Sequence, residues 1–324
     1  MKRYGNLWNK IVDKENIREA HKNARKGKTH YKEVKMVDKD IDHYIGKIHE
    51  MLLNETYKTS EYIVFEHFDG SKTREISKLP YFPDRIVHWA IMLQIENIFL
   101  RSFINDTYAS IPNRGIHYGV KRIKKALKDK NNTTYCLKLD VKKYFPNIDH
   151  EILKSLLKRK FKDNKLLNLL YEIIDSADEI PIGNYLSQYF ANFYLNYFDH
   201  YIKSLGIKYY FRYMDDIVIL HKNKTFLHGL FKSKIVPYLD KQLKLEVKEN
   251  WQVFPTRVRG VDFIGYRFFG KYTLLRKSTY KKLRYKMSKC KNKEHLKRSR
   301  ASYSGWLLWA NCYNLSKKYN LRRC

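Results

Sequence analysis

Two neighbouring acids, Asp215 and Asp216, sit between two apolar runs, Tyr209–Phe211 before them and Ile217–Leu220 after. The runs read as buried strands, so Tyr213-Met214-Asp215-Asp216 reads as the tight turn that joins them. Adjacent carboxylates repel one another unless a cation or a basic side chain offsets their charge. A hard divalent cation with oxygen ligands suits such a pair, and Mg²⁺ is the natural one. A third acid, Asp140, ends another strand-like run, Tyr135–Leu139. If the strands are neighbours in one sheet, three carboxylates converge. That arrangement serves phosphoryl transfer with two metals about 3.5–4 Å apart, one activating an attacking 3′-oxygen and one holding a triphosphate and its leaving pyrophosphate. An acidic pair in a hairpin turn is common, so the pair draws its weight from its flanks and from Asp140.

The elements that must position these acids can be read from periodicity. Apolar residues at helical spacing predict an amphipathic helix over 37–56 and a long helix over 83–104, entered through Pro83-Asp84. Between them, EYIVFEHF and TREISKL flank Asp69-Gly70 and predict a hairpin over 61–80. Residues 149–176 read as helical. A short extended piece, IPI, leads to Gly183 and then to a helix from about Ser187 to Leu205. A helix over about 225–242 and two strands near 243–268 follow. The first 36 residues are basic and polar, with a helical patch at Asn16–Asn23 and a turn or arm at RKGK (25–28).

Charge bounds the partners. Lys and Arg number 65 against 33 Asp and Glu, a formal net charge of +32 over 324 residues. So basic a chain repels itself unless it meets a polyanion, and nucleic acid is the usual one. Residues 271–300 carry thirteen Lys or Arg and a single acid, Glu294. That shift predicts a separate helical part that grips a phosphate backbone, the bland alternative being a solvated basic face. The 44% hydrophobic content argues against disorder. Cys136, Cys290, Cys312 and Cys324 form no close pairs, so neither a zinc site nor a disulfide framework is indicated and a reducing cytoplasm is the default. The N-terminus, MKRYGNLWNK, has no apolar stretch behind its charges, and no run approaches bilayer length; no membrane role is expected.

The motifs resemble those of reverse transcriptases. LKLDVKKYF resembles the family's first metal-binding motif, and YMDD is its signature turn. IPIGNYLSQYFANFYLNYFDH resembles the Gly-centred motif that packs against template and incoming nucleotide, VDFIGYRFFGKYTLLRKS the primer-gripping region, and FPDRIVHWAI the helix after the fingers in intron-like bacterial enzymes. They occur in the family's order over roughly residues 60–278. Within the class, Ile-Gly-Asn at 182–184, Ser187-Gln188, NWQVFP at 250–255 and SYSGWLLWA at 302–310 resemble the enzymes of diversity-generating retroelements.

The resemblance implies an α+β right-hand polymerase: fingers, a palm built on an antiparallel sheet, and a helical thumb. It places an N-terminal extension and fingers in 1–125, the palm in 126–270 with finger-side helices between 149 and 182, and a basic thumb in 271–324. It implies that Asp140, Asp215 and Asp216 are catalytic and hold two Mg²⁺ ions, with Mn²⁺ as a substitute and the Val141 carbonyl as a further ligand. It implies nucleotide contacts from Lys72, Arg74, Arg85, Lys143, Phe145, Ile182, Gly183 and Gln188. Phe145 would be the gate that blocks a 2′-hydroxyl, and Gly183 would let backbone approach the nucleotide or template where a Cβ would push it away. Strand contacts would come from Tyr213, Met214, Gly265, Tyr266, Arg276, Lys277, Lys281 and Lys282.

Two positions depart from the pattern. Many reverse transcriptases carry Gln immediately before the motif Gly; here it is Ile182, a replacement that the resemblance links to error-prone copying opposite template adenine. Many polymerases also place a Lys after the turn strands as a proton donor. KLEVKENWQVF offers Lys248, but Asn250-Trp251 occupies the expected register, and no general acid is assigned. The implied partners are template RNA, a DNA primer strand, dNTPs and a small basic accessory protein, commonly a pentamer. No residues remain for an RNase H or endonuclease domain. A retron-like or phage-defence enzyme stays open, as does a catalytically inactive RNA-binding subunit, against which the intact acid set argues.

Overall fold

The computed structural model describes residues 2–68, 73–290 and 292–321, with Arg74 described by its backbone alone. Asp69-Gly70 and Lys72 lie outside the described residues. The chain forms two compact units, each assembled from separated segments: Met1–Ile104, Lys143–Tyr197 and Leu243–Leu245 in one, Asn105–Lys142, Phe198–Gln242 and Glu246–Cys324 in the other.

The first unit is mostly helical. Its centre is the helix Ile86–Ser102, whose Val87, Ala90, Ile91, Ile95 and Phe99 are fully buried. Ahead of it Phe82 is extended, and helical backbone runs on from Pro83, the start that the spacing over 83–104 predicts. The expected helix over 37–56 is two helices, Lys32–Lys39 and Ile41–Leu53. They break at Asp40, which leaves helical backbone (φ −144°, ψ 66°) while the apolar face runs on through Ile45, Ile48 and Leu52. The 149–176 stretch divides likewise into His150–Lys160 and Asn164–Ile174, around Phe161–Asp163. Asp163 turns its carboxylate back to the backbone N–H groups of Leu7 and Trp8 and so ties the N-terminus down. The N-terminal region is more ordered than its polarity suggests: Asp13 caps the helix Lys14–Ala24 by accepting from Glu15 and Asn16. The hairpin is present as β1 (Ile63–Phe68) and β2 (Thr73–Lys78), antiparallel, with Phe68 opposite Thr73.

The second unit is built on sheets. β3 (Tyr135–Asp140), β4 (Tyr209–Tyr213), β5 (Asp216–His221) and β6 (Gln252–Pro255) form an antiparallel sheet in the order β4-β5-β3-β6. The four residues Ile217–Leu220 are all buried, so both faces of β5 are covered. Instead of two strands near 243–268 the chain makes β6 and then a separate antiparallel sheet of β7 (Val261–Phe263), β8 (Tyr266–Phe268) and β9 (Thr273–Leu275). One core joins the two sheets through Cys136, Phe211, Val218, Phe254, Phe263 and Phe268. The basic helices Lys277–Lys289 and Lys293–Leu307 are anchored to that core by Leu283, Tyr303 and Leu307, which leaves most of their cationic side chains exposed. Among the described residues no helix is long and apolar enough to cross a membrane.

Candidate active site

Sheet register places the acids. In the β3–β5 pair Asp140 lies directly opposite Asp216, and in the β4–β5 hairpin Tyr213 lies opposite Asp216. Met214 and Asp215 are therefore the two residues of the turn. Met214 adopts φ +55°, the left-handed region that a two-residue hairpin needs at its first position and that a non-glycine residue enters at a cost of roughly 1–2 kcal/mol. An anchor opposes that cost: Arg212 Nη1 donates to the Met214 carbonyl at 2.9 Å.

Arg212 and its partner Asp199 are each 0% exposed. The guanidinium donates through Nε and Nη2 to both carboxylate oxygens of Asp199, at 2.7 and 2.6 Å, and the Tyr210 hydroxyl donates to the same carboxylate. This bidentate pair sits directly beneath the turn. The sequence reading passed over it, because an Arg beside YMDD looks like another basic residue. The available signal was that Arg212 alone interrupts the otherwise apolar or aromatic run YYFRY.

Three cations face the acids. Lys248 places its ammonium on Asp140 Oδ1, and its backbone N–H donates to the Asp140 carbonyl at 2.9 Å. Lys138 Nζ stands 3.6 Å from Asp216, on the adjacent strand, and Arg276 Nη2 stands 3.9 Å away while its Nε holds Asp262 at 2.5 Å. Arg276, expected on a nucleic-acid strand, is thus turned toward the carboxylates. Burial pushes Asp215 up to about 6, with the Asp140 charge adding to it. Burial also pushes Asp216 up to about 6, against the pull of Lys138 and Arg276.

Among the described residues no group of three His, Cys, Asp or Glu side chains is gathered closely enough for one shared metal site. Register nevertheless brings the three acids to one sheet end, where the Asp140 charge raises the proton affinity of both Asp215 and Asp216. Asp140 and Asp215 interact directly, Asp140 also pairs with Lys248, and Asp216 faces Lys138 and Arg276. The donors still fit a hard divalent cation. They are carboxylate oxygens on a rigid sheet end, two of them hold protons more tightly than usual, and Asp216 Oδ1 has no hydrogen-bond partner among the described residues. Val141 is buried and bridged to Val247, which fixes the backbone just after Asp140.

These shifts predict a pH dependence. In the unfolded chain both acids ionise near their ordinary value, whereas the folded protein keeps them protonated to about 6. The folded state binds more protons between about pH 4 and 6, so the pair lowers stability as pH rises through that window and no further above it. The double variant D215N/D216N is expected to gain stability relative to wild type from pH 4 to 6 and then level off, measured by chemical denaturation in EDTA. A difference that stays flat across that range would contradict the placement of these acids.

The other expected strand contacts divide. Lys277, Lys281 and Lys282 are exposed on their helix. Tyr213 is half-buried. Tyr266 is 0% exposed and donates its hydroxyl to the Trp306 carbonyl at 2.9 Å, and Met214 is buried as well. Their side chains therefore serve the core. Gly265, at φ +84°, leaves room for Trp306: a Cβ there would meet that ring at 2.4 Å.

The expected nucleotide-contact residues lie in the first unit. Gly183 is required, but for a reason the sequence did not disclose. At φ +131° its Cβ would meet the backbone oxygen of Ser77 at 2.5 Å, so the residue allows a close approach to β2. The neighbouring Ile182 carbonyl accepts from the Ser77 N–H at 2.9 Å, which docks this motif on the hairpin that also carries Arg74. Ile182, Phe145 and Gln188 are half-buried, and Lys143 is exposed with φ +42°. Arg85 is partly buried, with its Nε unpartnered among the described residues, and burial lowers its pKa. Lys72 and the Arg74 side chain lie outside the described residues.

The family described as "Reverse transcriptase (RNA-dependent DNA polymerase)" matches residues 69–268, more than half of the chain. Protein YkfC of Escherichia coli is 23% identical over 238 residues, covering 60% of this chain and 62% of that protein. The group II intron-encoded protein LtrA of Lactococcus lactis is 28% identical over 151 residues, covering 43% of this chain and 25% of LtrA. The chain thus spans less than two thirds of either curated relative. Among solved structures, apo telomerase from Candida tropicalis superposes with a TM-score of 0.51 at 13% identity, over 82% of this chain and 57% of that one. That likeness concerns the fold alone, an α+β right-hand polymerase.

Proposed function

Because the chain belongs to the reverse transcriptase (RNA-dependent DNA polymerase) family, we propose that it copies an RNA template into DNA, and does so inaccurately, within a diversity-generating retroelement. The observation that carries the polymerase reading is the register that sets Asp140 opposite Asp216 with Asp215 on the connecting turn. In this reading Asp140 and Asp215 would hold Mg²⁺, with Asp216 supporting them. The metal, when bound, supplies positive charge to the attacking oxygen and the triphosphate. Arg212 holds the turn so that Asp215 is presented in one orientation. Lys248 and Lys138 neutralise the acids. The basic helices from Lys277 onward neutralise the backbone of a template–primer duplex. Residues 1–125, 126–270 and 271–324 take the parts of fingers, palm and thumb, and a small basic accessory protein is the expected partner.

Ile182 supports the inaccuracy. An aliphatic side chain offers no hydrogen bond near the nucleotide, so a mismatch there leaves no polar group unsatisfied and meets less discrimination. Ile182→Gln is expected to lower misincorporation opposite template adenine by about fivefold, the factor that one net hydrogen bond of ~1 kcal/mol carries. Sequencing cDNA made on a defined RNA template with all four dNTPs measures it. An unchanged error spectrum in the variant would remove the basis of the mutagenic reading. Faithful wild-type cDNA would favour a retron-like or defence role.

A further inference from the structure

The second unit carries a cavity of about 320 Å³ lined by Thr256, next to the end of β3 away from Asp140. Its cationic lining is Lys130, Arg257 and Lys271, all exposed. None of these three side chains is hydrogen-bonded or ion-paired to an acid among the described residues. The nearest acid in sequence, Asp129, is already engaged by the Tyr209 hydroxyl at 2.6 Å and by Lys208 at 3.2 Å. One wall is aromatic. Phe269 and Tyr272 stack with ring centroids 4.7 Å apart and planes 19° from parallel, held by a Phe269 N–H to Tyr272 carbonyl bond of 2.9 Å. Gly260 seats the Phe269 ring, since a Cβ there would lie 2.8 Å from it. Tyr272 remains 45% exposed, so the stack presents a ring edge and face to solvent.

Unpaired cations beside a preformed aromatic stack recognise a planar ring that bears phosphate. The cations bind the anion, and a base has a face for the tyrosine. The volume lies in the range of small-molecule sites and suits one nucleotide. The cavity is also separate from the carboxylates. Thr256, in its lining, donates its backbone N–H to the Thr134 carbonyl, and Pro255 pairs with Tyr135, at the end of β3 opposite Asp140. Five steps of strand put roughly 17 Å between the two ends.

We infer that this cavity binds a nucleotide bearing a 5′-phosphate, with Lys130, Arg257 and Lys271 on the phosphate and Tyr272 against the base. The source is either a free mononucleotide or one unit of a single-stranded RNA, and the two share this chemistry. Photolabelling of the full chain separates them: 8-azido-AMP competed by AMP in one arm, a short RNA containing 4-thiouridine in the other, each followed by peptide mapping. Labelling of the Phe269–Tyr272 segment by the azido nucleotide identifies a mononucleotide site. Labelling by the RNA alone identifies a strand subsite. Arg257→Ala, and independently Lys130→Ala, is expected to reduce that labelling by about tenfold or more. These surface changes should leave primer extension on a short template unchanged. If neither probe labels the segment, or the variants label as well as wild type, the inference is wrong. The copying reaction fails on a different readout, absence of primer extension by the wild type, which leaves the labelling result standing.

Discussion

Asp215→Asn is expected to reduce dNTP incorporation by about 10²–10³-fold or more, the scale of removing one group that stabilises charge at a reacting centre. The amide matches the carboxylate in size, and the turn does not depend on its charge. The turn is held by the Arg212 bond to the Met214 carbonyl and by the pairing of Tyr213 with Asp216. In the proposed reading RNA is gripped by the exposed lysines of the helix Lys277–Lys289, which the change does not touch. RNA affinity should therefore stay close to that of wild type while synthesis is lost. Primer extension and a filter-binding titration on the same preparation read the two quantities. Synthesis retained at near wild-type rate would show that the chemistry lies elsewhere.

The second large effect is on stability. Asp199→Asn leaves the Arg212 guanidinium buried without its counter-charge, and the expected loss is about 3–5 kcal/mol, the usual cost of breaking one side of a buried ion pair. Urea denaturation measures it. Replacing both partners, Arg212→Met with Asp199→Leu, should recover part of that loss, because an apolar pair needs no desolvated charge to be satisfied. Recovery is incomplete because Tyr210 and Thr107 also lose the carboxylate they bond to. The same double variant should remain poor in synthesis, since the Met214 carbonyl has lost its donor. Recovery of stability without activity distinguishes positioning of the turn from simple support of the core. A double variant as active as wild type would refute the positioning role, and an unchanged Asp199→Asn stability would refute the buried pair.

Several elements were legible because their causes are local. The apolar runs around YMDD and the alternation in YCLKLD predict strands, and both appear, as does the hairpin on either side of Asp69-Gly70. Helix interruptions were less legible. At Asp40, at Phe161–Asp163 and at Leu195 the apolar face continues across the break, so periodicity alone reads one helix where the backbone makes two. The extra sheet of three-residue strands after Gly260 was missed for a related reason. Strands that short carry hardly one period of alternation.

The sequence by itself determined which chemistry is available. Asp140, Asp215 and Asp216 at strand ends, a tight turn that carries the pair and a strongly basic C-terminal part are written in residue type and spacing. Tertiary structure alone decided what each acid faces. Register sets Asp140 against Asp216, and the loop leading to β6 brings Lys248 onto Asp140 from 108 residues away. Burial turns Arg212 and Asp199 from two ordinary charges into the support of the turn, and the β2 backbone makes Gly183 necessary. The physical reason is the same in each case. Residue patterns report a side chain's relation to its own backbone, whereas pKa, ion pairing and steric need depend on partners that only folding brings within a few ångströms.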